Sequence, residues 1–82
     1  MERKTEGAWK TENGYLTIHE LFEGGWDYTL YTPEYELIDG GQIDDEENSI
    51  IEIRDQILDD FGWSMEGIME VDYDELEEAV GY

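Results

Sequence analysis

The hydrophobic period of this chain changes once, at Ser49, and the change decides the fold class. Before it, apolar residues come in short runs punctuated by Gly, Pro, Asn and Asp; after it, they recur at three-and-four spacing. Asn13-Gly14, between GAWKT and YLTIHELF, is a strong hairpin signal, because both residues tolerate the positive φ of a tight turn. Glu23-Gly24-Gly25 and Thr32-Pro33-Glu34 read as the next two turns, with Pro33 suited to the second position of its turn. Tyr15–Phe22, Trp26–Tyr31 and Tyr35–Ile38 lie between them as strands, the last closed by Asp39-Gly40-Gly41. Neither face of Tyr15–Phe22 is cleanly polar, which predicts cover on both sides of the sheet.

Ser49-Ile-Ile-Glu52 is a capping box, and Ile50, Ile53, Ile57 and Phe61 follow at helical spacing, with Leu58 beside them and Gly62 placed to end the helix. Trp63, Met65, Ile68, Met69 and Val71 read as an apolar connector over one end of the sheet. Asp72-Tyr-Asp-Glu75 repeats the capping pattern before a short helix through Leu76, Ala79 and Val80. The expectation is one α+β domain over 1–82, with residues 1–6 a flexible N-terminus. An antiparallel meander of three or four strands over about 8–40 precedes helices over about 49–61 and 72–80.

Charge is what such a fold does not call for. Twenty-four acids face four bases, a formal net charge of −20. The first fourteen residues are balanced, so residues 15–82 carry 21 acids against Arg54 alone. Solubility asks for a net charge of magnitude about 2–8 in a small domain, and self-repulsion beyond that destabilises the compact state. Halophilic adaptation or plain solubility are the simplest sources of such an excess. Asp59 and Asp60 argue for another, since they occupy the last turn of the first helix, where the macrodipole favours cations.

Several chemistries lack their residues. His19 is the only histidine, and Ser49, already a cap, and Ser64 are the only serines; no local pattern resembles a nucleophile elbow. Carboxylate pairs alone do not mark a glycosidase in so acidic a chain. A calcium loop counted from Asp39 puts Ile43 and Ile50 at ligand positions, and one counted from Asp44 has Ser49 in place of the required glycine. There is no Cys to ligate a metal or form a disulfide. No enzymatic activity, cofactor or metal site is therefore expected. Aromatics without interleaved bases make direct nucleic-acid binding unfavourable, and the charge repels anionic membrane. No run is apolar enough for a membrane span or secretory signal, so the expected location is the cytoplasm.

The acids themselves are the best signal. Glu52, Asp55 and Asp59 fall on one side of the first helix, opposite its apolar stripe, with Asp60 beside them. Such neighbours sit about 5–6 Å apart at Cβ, comparable to the charge spacing of a nucleic-acid backbone. Asp44, Asp45, Glu46 and Glu47 extend the row before the helix. Glu66, Glu70, Asp72, Asp74, Glu75, Glu77 and Glu78 supply a second acidic surface. Core residues interrupt each run, so the display is rigid and shaped for a basic groove.

In its acidic body and its IDDEENSIIEIRDQILDDF and DYDELEE displays, the chain resembles the small DNA-mimic inhibitors of phages and mobile elements, the antirestriction and anti-CRISPR proteins. GGWDYTLYTPEYELIDGGQID is also similar to a meander of bacterial mobile-element domains. The resemblance implies a basic nucleic-acid-binding partner in the bacterial host cytoplasm. A Cas9-type effector is the first expectation and a restriction enzyme the second, since Cas9 holds nucleic acid in a positively charged channel. An acidic adaptor that docks a basic protein without displacing DNA is the alternative.

Overall fold

Thr11 closes the first hairpin. Its Oγ1 accepts from Asn13 N at 3.0 Å and Gly14 N at 3.2 Å, and donates to Gly14 O at 3.1 Å. The computed structural model describes residues 5–81, and around this turn β1 (Glu6–Thr11) pairs antiparallel with β2 (Gly14–Glu20). Residues 1–4 of the expected flexible segment lie outside the described residues, whereas Glu6 opens β1 opposite His19. The Glu23–Gly25 turn leads to β3 (Trp26–Tyr31), with Gly24 at φ 103° and Gly25 at φ 83°.

At the next turn Tyr35 N donates to Thr32 O at 2.9 Å, with Pro33 in the second position as expected. Tyr35 itself adopts φ 68° and belongs to the turn, not to the strand that Tyr35–Ile38 suggested. β4 runs instead over Leu37–Ile43, straight through Asp39-Gly40-Gly41. Here the glycines do not form a turn. They make room within the sheet: a Cβ on Gly41 would lie 2.9 Å from the Tyr28 hydroxyl.

α1 (Ile50–Asp60) starts at Ser49, whose hydroxyl accepts from Glu52 N, and ends as expected on Gly62 at φ 68°. The end is a Schellman arrangement, with Gly62 N donating to Asp59 O and Trp63 N to Leu58 O. The connector matches its sequence reading in part. Trp63 and Ile68 pack against the core, and Ser64 N donates to Asn13 Oδ1 at 3.0 Å, tying the connector to the first hairpin. Met69–Val71 is not cover but a strand, β5, antiparallel to β1. α2 (Tyr73–Ala79) follows from its cap Asp72.

The result is an α+β fold with a five-stranded antiparallel sheet in the order β4-β3-β2-β1-β5. Strand alternation sends Trp9, Leu16, Ile18, Trp26 and Leu30 to one face, where Ile50, Ile53, Ile57 and Leu58 of α1 close the core. The opposite face carries Ala8, Thr17 and Tyr31, all buried, and α2 lays Leu76 against part of it. The predicted cover on both sides of β2 is thus present.

Candidate acidic interaction surface

α1 separates core from charge along its own axis. Burial of Ile50, Ile53, Ile57 and Leu58 fixes the helix rotation, and that rotation turns Glu52, Asp55, Asp59 and Asp60 outward, all exposed. No base sits in the last turn to offset Asp59 and Asp60.

Asp55 does not join the free row that its spacing suggested. Arg54 bonds it through Nε at 2.9 Å and through its terminal nitrogen at 2.8 Å. The same guanidinium lies 5.6 Å from the centroid of the Trp9 ring, so it is held against the core by a cation–π contact as well. Arg54 is the only base between residues 15 and 82, and it is already engaged. The outward row on α1 without a basic partner in the helix is therefore Glu52, Asp59 and Asp60, with Asp55 paired to Arg54.

The loop before α1 contributes unevenly. Asp45 folds back on its own backbone: Oδ1 accepts from Glu47 N and Asn48 N, each at 2.9 Å, and Oδ2 from Asn48 Nδ2 at 2.6 Å. The Asn48 and Glu47 N–H groups, with the Asn48 amide, hold its carboxyl below the usual aspartate range. Asp44, Glu46 and Glu47 remain exposed. Glu46 reaches across to Gly24, where an added Cβ would strike its carboxylate. The acidic loop thus borders the β2–β3 turn, whose Phe22 stands fully exposed at 106%. Leu21, Phe22, Glu23, Gln42, Ile43 and Asp44 line an open cleft there of about 640 Å³.

The second acidic surface lies elsewhere. Asp72 is consumed as the α2 cap, accepting from Glu75 N at 2.9 Å. Asp74, Glu75 and Glu78 are exposed on α2, while Glu77 is half-buried. Glu66 sits exposed in the connector, whereas Glu70 on β5 is paired opposite Trp9 and so lies on the α1 face of the sheet, apart from the α2 acids. Because α1 and α2 cover opposite faces of the sheet, their carboxylates point away from each other. The fifteen acids picked out by sequence lie on more than one face of the fold.

His19 lies on the α2 side of the sheet. Its Nε2 is 3.7 Å from Asp27 Oδ2 on the neighbouring strand, and its Nδ1 is 3.5 Å from the Tyr73 hydroxyl. Thr17, Thr29, Tyr31 and Glu77 complete a polar groove of about 380 Å³ around His19 and Asp27. Burial, then a hydrogen bond with Glu77, pushes the Tyr73 phenol well above the ordinary tyrosine range. Sequence reading missed Asp27 and Tyr73. The hairpin register would have supplied Asp27, since it is the cross-strand partner of His19; nothing local announces Tyr73. Among the described residues, no group of three or more His, Asp or Glu is placed to hold a metal ion, and no helix is long and apolar enough to cross a membrane.

No curated protein and no solved structure matches the chain. A family model, that of large polyvalent protein-associated domain 16, matches residues 2–81, nearly the full length, and the chain belongs to that family.

Proposed function

We propose that this domain binds a basic, nucleic-acid-binding protein through its acidic surface and blocks that protein's nucleic-acid channel. The observation that carries the reading is the outward row Glu52, Asp59 and Asp60 on α1, continued by Asp44, Glu46 and Glu47, while the single base of residues 15–82 is spent on Asp55. Carboxylates held this way on a core-anchored helix suit bidentate pairing with arginines that otherwise grip phosphates. The family's association with large polyvalent proteins fits a phage or mobile-element setting, where inhibitors of host defence nucleases belong. A Cas9-type effector is the first target proposed, as an anti-CRISPR activity, and a restriction enzyme the second.

One observation favours a different outcome. The helical acids divide between α1 and α2 on opposite sheet faces, so one groove would engage only part of the acidic surface. An adaptor that docks a basic protein and leaves DNA in place would use the same chemistry.

The test is displacement. Fluorescent duplex DNA is bound to a Cas9–guide complex and, separately, to a restriction enzyme, and the domain is titrated in. Release of DNA is expected, weakening steeply as salt rises above about 0.15 M, because screening there acts over about 8 Å. The domain alone should leave DNA anisotropy unchanged. A ternary complex retaining DNA selects the adaptor, and no association with either enzyme sinks both named targets.

A further inference from the structure

We propose that β4 is a docking edge that accepts an extended, basic segment of a partner protein as a sixth strand of the sheet. β4 ends the strand order and has β3 as its single neighbour. It is seven residues long, roughly 23 Å of backbone at about 3.3 Å per residue, and Leu37–Gly40 is exposed throughout. β5, at the other edge, has only three residues, too short to template a strand.

The backbone of β4 is open to a partner. Gly40 N donates at 2.8 Å to the carboxylate of its own neighbour Asp39, so this N–H is turned away from β3. The register from Thr29↔Gly40 to Asp27↔Gln42 is unbroken, so alternation turns Gln42 N–H to the same outer side. Gly40 and Gly41 bring no side chains of their own to this edge, so a partner strand has only to displace the exposed Asp39 carboxylate from the Gly40 N–H. Leu37, 66% exposed, and Ile38, 45% exposed at the bulge, add uncovered apolar area at one end.

Charge selects the occupant. Glu34, Glu36, Asp39, Asp44, Glu46 and Glu47 flank the edge, and no Lys or Arg occurs between residues 11 and 53. A second copy of this chain would bring the same acids into register and be repelled; a Lys- or Arg-bearing strand would be drawn in. An exposed edge is ordinarily an aggregation hazard, and here the acids exclude self-pairing while leaving the edge usable. The inference rests on the proposed function for the basic character of the partner and adds how that partner is gripped.

The probe is the alternating peptide acetyl-KVRVKVR-amide added to the ¹⁵N-labelled full chain. Amide exchange at Gly40 and Gln42 should slow by about tenfold or more, as for amides entering a ladder, with shift changes centred on β4. EVEVEVE and the ladder-breaking KVRPKVR should protect neither amide. Gln42→Pro removes an outward donor without removing a β3 hydrogen bond and should abolish the protection of Gly40. The peptide comparison stands even where that variant loses stability. Shift changes spread over α1 with no protection of Gly40 or Gln42 would overturn the proposal, as would protection that grows with protein concentration without peptide. In the DNA-displacement assay, a folded Gln42→Pro variant as potent as the parent also removes the edge and leaves the proposed function standing. Failure of the parent itself to displace DNA strikes the proposed function instead.

Discussion

Ile53→Ala is expected to cost about 2–5 kcal/mol, the range for emptying a fully buried aliphatic site. Ile53 has no exposed surface and joins Trp9, Leu16, Ile18, Trp26 and Leu30 to the helix. Truncation leaves a void between two rigid layers, which can close only if α1 tilts. In a domain of this size 1 kcal/mol moves the melting temperature by roughly 4–8 °C, so a fall of at least about 8 °C should appear in a thermal melt. Glu52→Gln with Asp59→Asn and Asp60→Asn, a few ångströms away on the same helix, should not lower the melting temperature at all. Asp55 is left out of that set because it holds Arg54. Equal losses in the two variants would mean that the acids support the fold.

Gly14→Ala is expected to be nearly as damaging, on the order of 3 kcal/mol from backbone strain and overpacking together. Gly14 sits at φ 146°, and an added Cβ would drive into the Tyr31 carbonyl oxygen and approach the Trp63 ring to 3.2 Å. The Tyr31 carbonyl cannot step aside, since Tyr31 is locked opposite Tyr15 in the β2–β3 ladder. Gly62→Ala provides the contrast. Its φ is 68° but nothing lies within 4 Å, so only the left-handed penalty of roughly 1–2 kcal/mol remains. Urea midpoints of the two variants at unchanged m-value separate the steric part from the conformational part. Equal midpoints would show that the packing against Tyr31 is not what fixes the glycine.

The parts of this fold that local chemistry governs are readable along the chain. Thr11-Glu-Asn13-Gly14 makes its hairpin with its own side chains, and Ser49, Gly62 and Asp72 begin or end helices through bonds to neighbours within a few residues. The parts that escaped are non-local. Met69-Glu-Val71 is too short to show a period, and it is a strand only because β1 offers it a free edge across some sixty residues. Asp39-Gly40-Gly41 carries turn residues, yet on the adjacent strand Gly41 answers to the Tyr28 ring and Gly40 to the Tyr28 backbone carbonyl. The acids follow the same division. Their outward orientation on α1 comes directly from the apolar stripe. The capture of Asp55 by Arg54, the inward fold of Asp45 and the separation of α1 from α2 depend on packing that spacing alone does not contain.

The central claim is that the exposed carboxylates are a cost to the fold, carried for a basic partner. Melting temperature against sodium chloride, from about 0.02 M to 0.5 M at pH 7, tests it most directly, because the screening length shrinks from more than 20 Å to a few ångströms over that range. Chloride is used because sulfate or phosphate would strengthen apolar burial on its own account. The account predicts a melting temperature that climbs with salt in the parent. It also predicts that the variant carrying Glu52→Gln, Asp59→Asn and Asp60→Asn starts higher and climbs less. A parent melting temperature that stays flat or falls as salt is added would contradict it.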